Sequence, residues 1–323
     1  LDKQNEFLFM GAAHHASDGK SISSESRLKN LLKRYSLFYP FALTTRALMH
    51  GFKVRRYLRE NEVSVVFCHT FFFGMVLLLS MRSPRLIYVY HGQGSYYYFM
   101  TDLMGFQETS FLGWYIRYVE KKILQKADMI IFPSHGAVEA FRESGGFWSN
   151  EQEKKLKIIH NGVSKIEHND IDITRVGKGV RLVTVATLNS AKGVDRIPEF
   201  LQRNFCDHQR EFNWIILGDG PAAGDFKSRL QQYPEVAKRT KHIITPLSQG
   251  QVRKLFSESD AYIIMQRFSI FDLSTLEAMS EGCLAILSSR GGNKDLAEKL
   301  PDDVFLIDES GDFDYSSFLQ RMS

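Results

Sequence analysis

Cysteine is scarce: 323 residues hold three, Cys68, Cys206 and Cys283. They lie far apart, without the spacing of a zinc site or of the disulfide framework of a small secreted domain. Two of them sit in apolar runs, where a free thiol packs as a small hydrophobe, and this usage implies a reducing compartment. Long hydrophobic runs are also missing. The most apolar stretch, Val65 to Met81, is interrupted by His69 and Thr70 and is shorter than the roughly 20 residues a membrane-spanning helix needs. No zinc-finger, RNP or helix-turn-helix pattern is present, which argues against nucleic acid as a partner. Overall charge is small, at +4.

That small net charge hides an uneven distribution. Residues 1–160 carry 21 Lys and Arg against 14 Asp and Glu, whereas the remainder carries 20 against 23. Residues 20–59 hold ten cations and one acid, Glu25, interleaved with Phe38, Tyr39, Phe41, Phe52 and Tyr57. A basic, aromatic stretch of this kind serves either as a solvated helix face or as a contact for an anionic membrane surface.

Hydrophobic residues at 44% and charged residues at 24% are ordinary for a globular chain. Short apolar runs alternate with helical patterns. Strands are expected at Phe7–Ala13, Val63–Cys68, Leu86–Tyr90, Met129–Phe132 and Leu156–Ile159. After the polar stretch Ser164–Gly179 the series resumes with strands at Leu182–Thr187, Trp214–Leu217, Ile243–Thr245, Ala261–Met265 and Leu284–Leu287. Between these, helices are expected at Asp195–Arg203, Ala223–Gln232, Gln249–Glu258 and Ser274–Glu281. Such alternation is the signature of parallel sheets covered on both faces. It predicts an α/β chain of two Rossmann-like, doubly wound domains facing a cleft, residues 1–163 and 164–323.

Three segments follow strands in the second half. Leu217-Gly218-Asp219-Gly220-Pro221 is either a plain strand–helix turn or a place where backbone approaches a ligand at Gly218. Thr187-Leu188-Asn189-Ser190-Ala191-Lys192-Gly193 puts the Lys192 ammonium at the same sheet edge, exposed or set against a diphosphate. Phe271 to Gly282 combines a loop, the amides of Leu273 and Ser274 at a helix start, and the Glu277 carboxylate one turn in. Helix-start amides favour phosphate oxygens, and a carboxylate accepts hydrogen bonds from the two hydroxyls of a ribose. A nucleoside diphosphate matches both.

The order ATLNSAKGVDRI, LGDGP, FDLSTLEAMSEG resembles the retaining GT-B glycosyltransferases of family 4, over most of residues 130–295. Phe132-Pro133-Ser134 and Ile159-His160-Asn161-Gly162-Val163 resemble the family's Ser-start helix and its Asn-Gly-Val segment. His69 and His91 end strands where the family often has histidines facing the interdomain cleft; a histidine there also serves a purely structural role. The resemblance departs in three places. The family's first glutamate falls on Ser269, its loop glycines fall on Ile270 and Asp272, and Ala186-Thr187 replaces Gly-Arg. Asp272 is the candidate to orient the donor sugar, or is a simple helix-start aspartate. Lys192, aided by Arg267 or Lys294, is left to balance the diphosphate. The chain also opens where the family's second strand would lie, which implies that a first strand and helix are missing.

The resemblance implies transfer with retention and without a metal or other cofactor, from a nucleotide-sugar, on base rates a UDP-linked hexose or HexNAc. His91 and Asp272 are the expected catalytic pair. Asp170-Ile171-Asp172 and Asp312-Phe313-Asp314 match a metal-binding Asp-x-Asp only superficially and are expected to be solvated acids. By analogy with bacterial O-antigen and capsule enzymes, the acceptor is expected to be a lipid-linked saccharide, the location the cytoplasmic face of the membrane. The alternatives are a catalytically idle subunit that binds a partner or glycan, and a nucleotide-sugar epimerase of the same fold.

Overall fold

The computed structural model describes residues 39–79, 84–92, 94–98, 100, 110–163 and 179–322. The strand expected at Phe7–Ala13, the acids 170–172 and residues 20–38 of the basic stretch lie outside the described residues.

Helix α1 (Tyr39–Glu60) buries Ala47, Gly51 and Val54, a stripe at helical spacing, and turns its cations outward. There follow β1 (Val65–Cys68), α2 (Phe71–Leu78), β2 (Arg85–Val89), α3 (Phe111–Lys126), β3 (Met129–Phe132), α4 (His135–Glu143), α5 (Asn150–Lys155) and β4 (Leu156–Ile158). Ser134 caps α4 as expected, its hydroxyl accepting from the Ala137 amide. The four strands form a parallel sheet in the order β1-β2-β3-β4. Phe132, Phe141, Leu112 and Ile123 lie in its core, each almost wholly removed from water, and burying each such side chain is worth about 1.5–3 kcal/mol.

The second sheet contains β5 (Val180–Val185), β6 (Phe212–Leu217), β7 (Thr240–Ile243), β8 (Ala261–Ile264), β9 (Leu284–Ser288) and β10 (Val304–Ile307). All its pairings are parallel, and the order is β10-β9-β8-β5-β6-β7. Counted from β5 this is the 3-2-1-4-5-6 order of a doubly wound sheet, whose winding reverses between β5 and β8. Every residue of β8 and β9 is buried, as helices on both faces require. The helices are α6 (Ile197–Leu201), α7 (Ala223–Gln231), α8 (Pro234–Lys238), α9 (Gln249–Ser257), α10 (Leu273–Ser280), α11 (Gly292–Lys299) and α12 (Tyr315–Met322).

Two expectations need correction. The helix expected over Asp195–Arg203 is a 3₁₀ turn at Val194–Arg196, the five-residue α6 and a π turn at Gln202–Cys206. A left-handed Gly193 stands just before this run, and Pro198 sets the start of α6. The strand expected at Ile243–Thr245 begins instead at Thr240, because β7 is an edge strand, half exposed, and its Thr-Lys-His start lacks the apolar signal. Helices α5, α8, α11 and α12 and strand β10 were not among the expected elements.

Candidate functional site

The reversal between β5 and β8 opens a crevice at the sheet's carboxyl edge, where doubly wound sheets bind ligands. Two loops enter it, 186–193 after β5 and 265–272 after β8. Asn189 shapes the first by accepting the Lys192 amide on Oδ1 at 3.0 Å. Gly218 borders the same loop: its φ is +146°, and a Cβ there would fall 1.9 Å from the Ala186 carbonyl oxygen. Close packing of the turn after β6 against the 186–193 loop thus requires this glycine, whatever else binds beside it. Thr187 is exposed.

Lys192 Nζ donates to Asp272 Oδ1 at 2.6 Å, joining the two loops. Asp272 occupies the N-cap position of α10 but makes no capping bond, because its carboxylate is turned to the lysine. Its second oxygen, Oδ2, is buried and has no hydrogen-bond partner among the described residues. A buried carboxylate oxygen without a donor is costly, so it is an acceptor ready for a hydroxyl or water. The α10 start presents the amides of Leu273 and Ser274 without a side-chain cap. Glu277 stands about 6 Å further along the helix axis, by helical rise, half-buried and in no ion pair among the described residues.

Behind the loops, the Tyr262 hydroxyl donates to the Val185 carbonyl at 3.2 Å. Burial, reinforced by the Asp272 charge, pushes that phenol well above its ordinary range, so it remains a donor. Gln266, two residues past β8, was missed in the sequence. It is wholly buried, and both its amide atoms lack a partner among the described residues. The available signal was an amide directly following the apolar run Ala261–Met265.

Three other candidates are committed elsewhere or stand apart. Ser269 is buried and its hydroxyl donates to Asn293 Oδ1 at 2.6 Å, so it does not stand in for a carboxylate in the crevice. Arg267 forms a two-pronged ion pair with Asp195, at 2.9 and 2.7 Å, and this guanidinium holds the Asp195 carboxyl below its usual range despite burial. Lys294 is exposed on the first turn of α11. Asp314 caps α12, accepting the Ser317 amide at 3.0 Å, while Asp312 is exposed. Among the described residues no three His, Cys, Asp or Glu side chains cluster as a metal site would require.

In the first sheet, His69 and His91 follow the carboxyl ends of β1 and β2. His69 Nδ1 and His91 Nε2 lie 2.8 Å apart, which requires one of the two nitrogens to be unprotonated. Burial, then the charge of His69, holds His91 below the ordinary histidine range. No hydrogen bond or ring contact joins this pair to Lys192 and Asp272 among the described residues. The loops that carry them do meet, through Tyr98 and Phe268, whose ring centroids are 4.9 Å apart. On α3 of the first sheet, buried Glu120 accepts the Tyr96 amide at 2.7 Å.

Comparison with known proteins agrees with this arrangement. Residues 16–165 match the family model Glycosyltransferase Family 4, and residues 179–314 match Glycosyl transferases group 1. A glycogen synthase of Exiguobacterium sibiricum is 26% identical over 134 residues, 42% of this chain and 26% of its own length. Among solved structures, the apo form of the lipopolysaccharide outer core galactosyltransferase WaaB is 18% identical with a TM-score of 0.52, over 78% of this chain and 64% of that one. HepE of Anabaena, solved with UDP and glucose, is also 18% identical, with a TM-score of 0.59 over 84% of this chain and 74% of that one. The chain therefore spans about a quarter of the curated relative and under two thirds of WaaB. With a Glycosyltransferase Family 4 domain followed by a Glycosyl transferases group 1 domain on two parallel α/β sheets, the chain belongs to the GT-B glycosyltransferases.

Proposed function

We propose that this chain transfers a hexose or HexNAc, with retention and without a metal, from a UDP-sugar to a lipid-linked saccharide. The observation that carries the reading is the buried, unpartnered Asp272 Oδ2 at the β5–β8 crevice, beside Lys192 and an uncapped helix start. In this reading the diphosphate takes the α10 amides and shares Lys192, Glu277 holds the ribose hydroxyls, and Asp272 Oδ2 accepts a hydroxyl of the donor sugar. As the glycosidic C–O bond breaks, its electron pair leaves with the diphosphate, where Lys192 and the amides stabilise the charge. The acceptor hydroxyl attacks the oxocarbenium-like sugar from the face the diphosphate has left, and its proton passes to the departing diphosphate oxygen. His91 hydrogen-bonds the sugar from the opposite domain. The nucleotide choice leans on HepE, which was solved with UDP.

The acceptor side rests on surface chemistry. Helix α1 exposes Phe41, Met49 and Phe52 among five cations and one acid. Beside it α3 exposes Phe111, Trp114 and Tyr118, stacked in sequence at centroid distances of 5.8 and 5.6 Å. The Thr44 and Tyr115 hydroxyls are hydrogen-bonded across the two helices. Lys122 lies over Tyr118, and an exposed aromatic row beside cations suits contact with anionic headgroups. No described helix is long and apolar enough to cross a membrane.

A second reading, an idle subunit that binds a partner or glycan, is favoured by one observation: Ser269 is sealed against Asn293 and offers no carboxylate. Calorimetry with UDP, with and without magnesium, on the chain and on Glu277→Ala separates the two. Metal-independent binding lost in the variant supports the donor site. If neither UDP, ADP nor GDP binds the folded chain, the idle subunit is the correct reading.

A further inference from the structure

Three described non-glycine residues have a left-handed backbone: Glu62 at φ 48°, Gln209 at 54° and Phe271 at 87°. The first two are exposed turn residues. Phe271 is different. It is 4% exposed, it is aromatic, and its φ lies beyond the usual left-handed region, where a bulky side chain persists only if its surroundings hold it. The next residue in the chain is Asp272.

Phe271 packs in the core of its own sheet, and further groups that hold it come from the other sheet. Asn161 Nδ2 donates to the Phe271 carbonyl at 2.9 Å. The His160 ring packs on the Phe271 ring at 4.8 Å, itself fixed by a 2.9 Å contact from Nδ1 to the Pro133 carbonyl. The Ser134 hydroxyl donates to the neighbouring Ile270 carbonyl at 3.4 Å. In return, Asp295 on α11 accepts the first two amides of α4, His135 at 2.7 Å and Gly136 at 3.1 Å. Gly136 abuts Gly291 so tightly that a Cβ would fall 1.9 Å from the Gly291 carbonyl carbon. Both strand ends of the first sheet, after β3 and after β4, thus clamp the loop that delivers Asp272.

We propose that Asn161 is a positioning residue for the donor site: by holding Phe271 left-handed from the opposite domain, it sets Asp272 and the start of α10 in place. This rests on the donor-site reading above. The two domains must then stand in this arrangement for Asp272 Oδ2 and the helix-start amides to face one ligand.

The test is a double-mutant cycle of Asn161→Ala and Phe271→Gly, read by UDP affinity and by the thermal unfolding midpoint. Glycine adopts the left-handed backbone unaided. Asn161→Ala alone is expected to weaken UDP binding roughly tenfold, and in the Phe271→Gly background to change it less than about twofold, as coupled neighbours do. An equal loss in both backgrounds, or no loss in either, overturns the proposal. If UDP does not bind the unaltered chain, the donor-site reading fails, and the midpoints decide the clamp on their own. Non-additive midpoints retain it; additive ones overturn it.

Discussion

Lys192 and Asp272 form an ion pair of 2.6 Å at 13% and 10% side-chain exposure, and it joins the two loops of the β5–β8 crevice. The single cation best placed for a diphosphate is therefore neutralised before any ligand arrives. A nucleotide must share the ammonium with the carboxylate, which separates what each residue contributes.

Asp272→Asn removes the charge while keeping the shape, so the freed lysine should bind UDP as well as before or better. Sugar transfer should fall about 100-fold or more, since the group lost acts on the reacting sugar. Lys192→Met does the reverse: UDP affinity drops, and the carboxylate left buried without its partner destabilises the chain by about 3 kcal/mol. Calorimetry, turnover and chemical unfolding measured on both variants check the split. Equal losses of binding in the two would show that they act as one unit.

Histidine 91 predicts an acid limit. Its folded-state value lies below the ordinary one of about 6.5, so between the two the unfolded chain binds more protons than the folded one. Its contribution to stability is complete above pH 6.5 and is lost as pH falls toward the depressed value. His69→Ala removes the second cause of the depression and should raise the His91 value, read from the ring proton shifts in an NMR titration. An unmoved titration would show that burial alone sets it.

Glu120 predicts the opposite slope. Burial pushes its carboxyl up to about 7, against the opposing Tyr96 amide and Arg117 charge. From pH 4.5 to 7 the folded chain therefore holds more protons than the unfolded chain, and this contribution is lost as pH rises through 7. Glu120→Gln keeps an acceptor for the Tyr96 amide without the charge. Its melting temperature should exceed that of the parent at pH 8 by several degrees and converge with it near pH 5. Parallel melting curves at both values would contradict the raised carboxyl.

Trp114 predicts a lipid dependence. Trp114→Ala should reduce co-sedimentation with vesicles containing phosphatidylglycerol several-fold and leave UDP affinity unchanged, because α3 lies on the first sheet, away from Lys192. Retention of full vesicle binding in Trp114→Ala and Phe52→Ala would rule out this face.

Wherever an element is buried on both sides, its sequence made it legible. Ala261–Ile264 and Leu284–Leu287 are apolar throughout because both strands are interior to the six-stranded sheet. Thr240–Ile243 was misplaced because one side of an edge strand needs no apolar partner. The site divides in the same way. Lys192, Asp272 and Glu277 were legible from their positions relative to strand ends and a helix start. The Lys192–Asp272 pairing, the sealing of Ser269 by Asn293 and the capture of Arg267 by Asp195 were not, since each joins residues far apart in sequence whose meeting depends on how two loops pack. Asn161 was legible as part of a motif, but its partner Phe271 depends on the meeting of two sheets.

The strand order also has a consequence for synthesis. In the first sheet each strand pairs with its successor, but β5 takes β8 as its second neighbour, so that edge stays open until the chain has been made through Ala261. Throughout that interval Leu182 and Val183, both fully buried in the finished molecule, offer an apolar strand to any chain nearby. The nascent second half is therefore most exposed to mispairing before β8 arrives, and slowed translation between β7 and β8 would cost more folded protein than slowing anywhere in the first sheet.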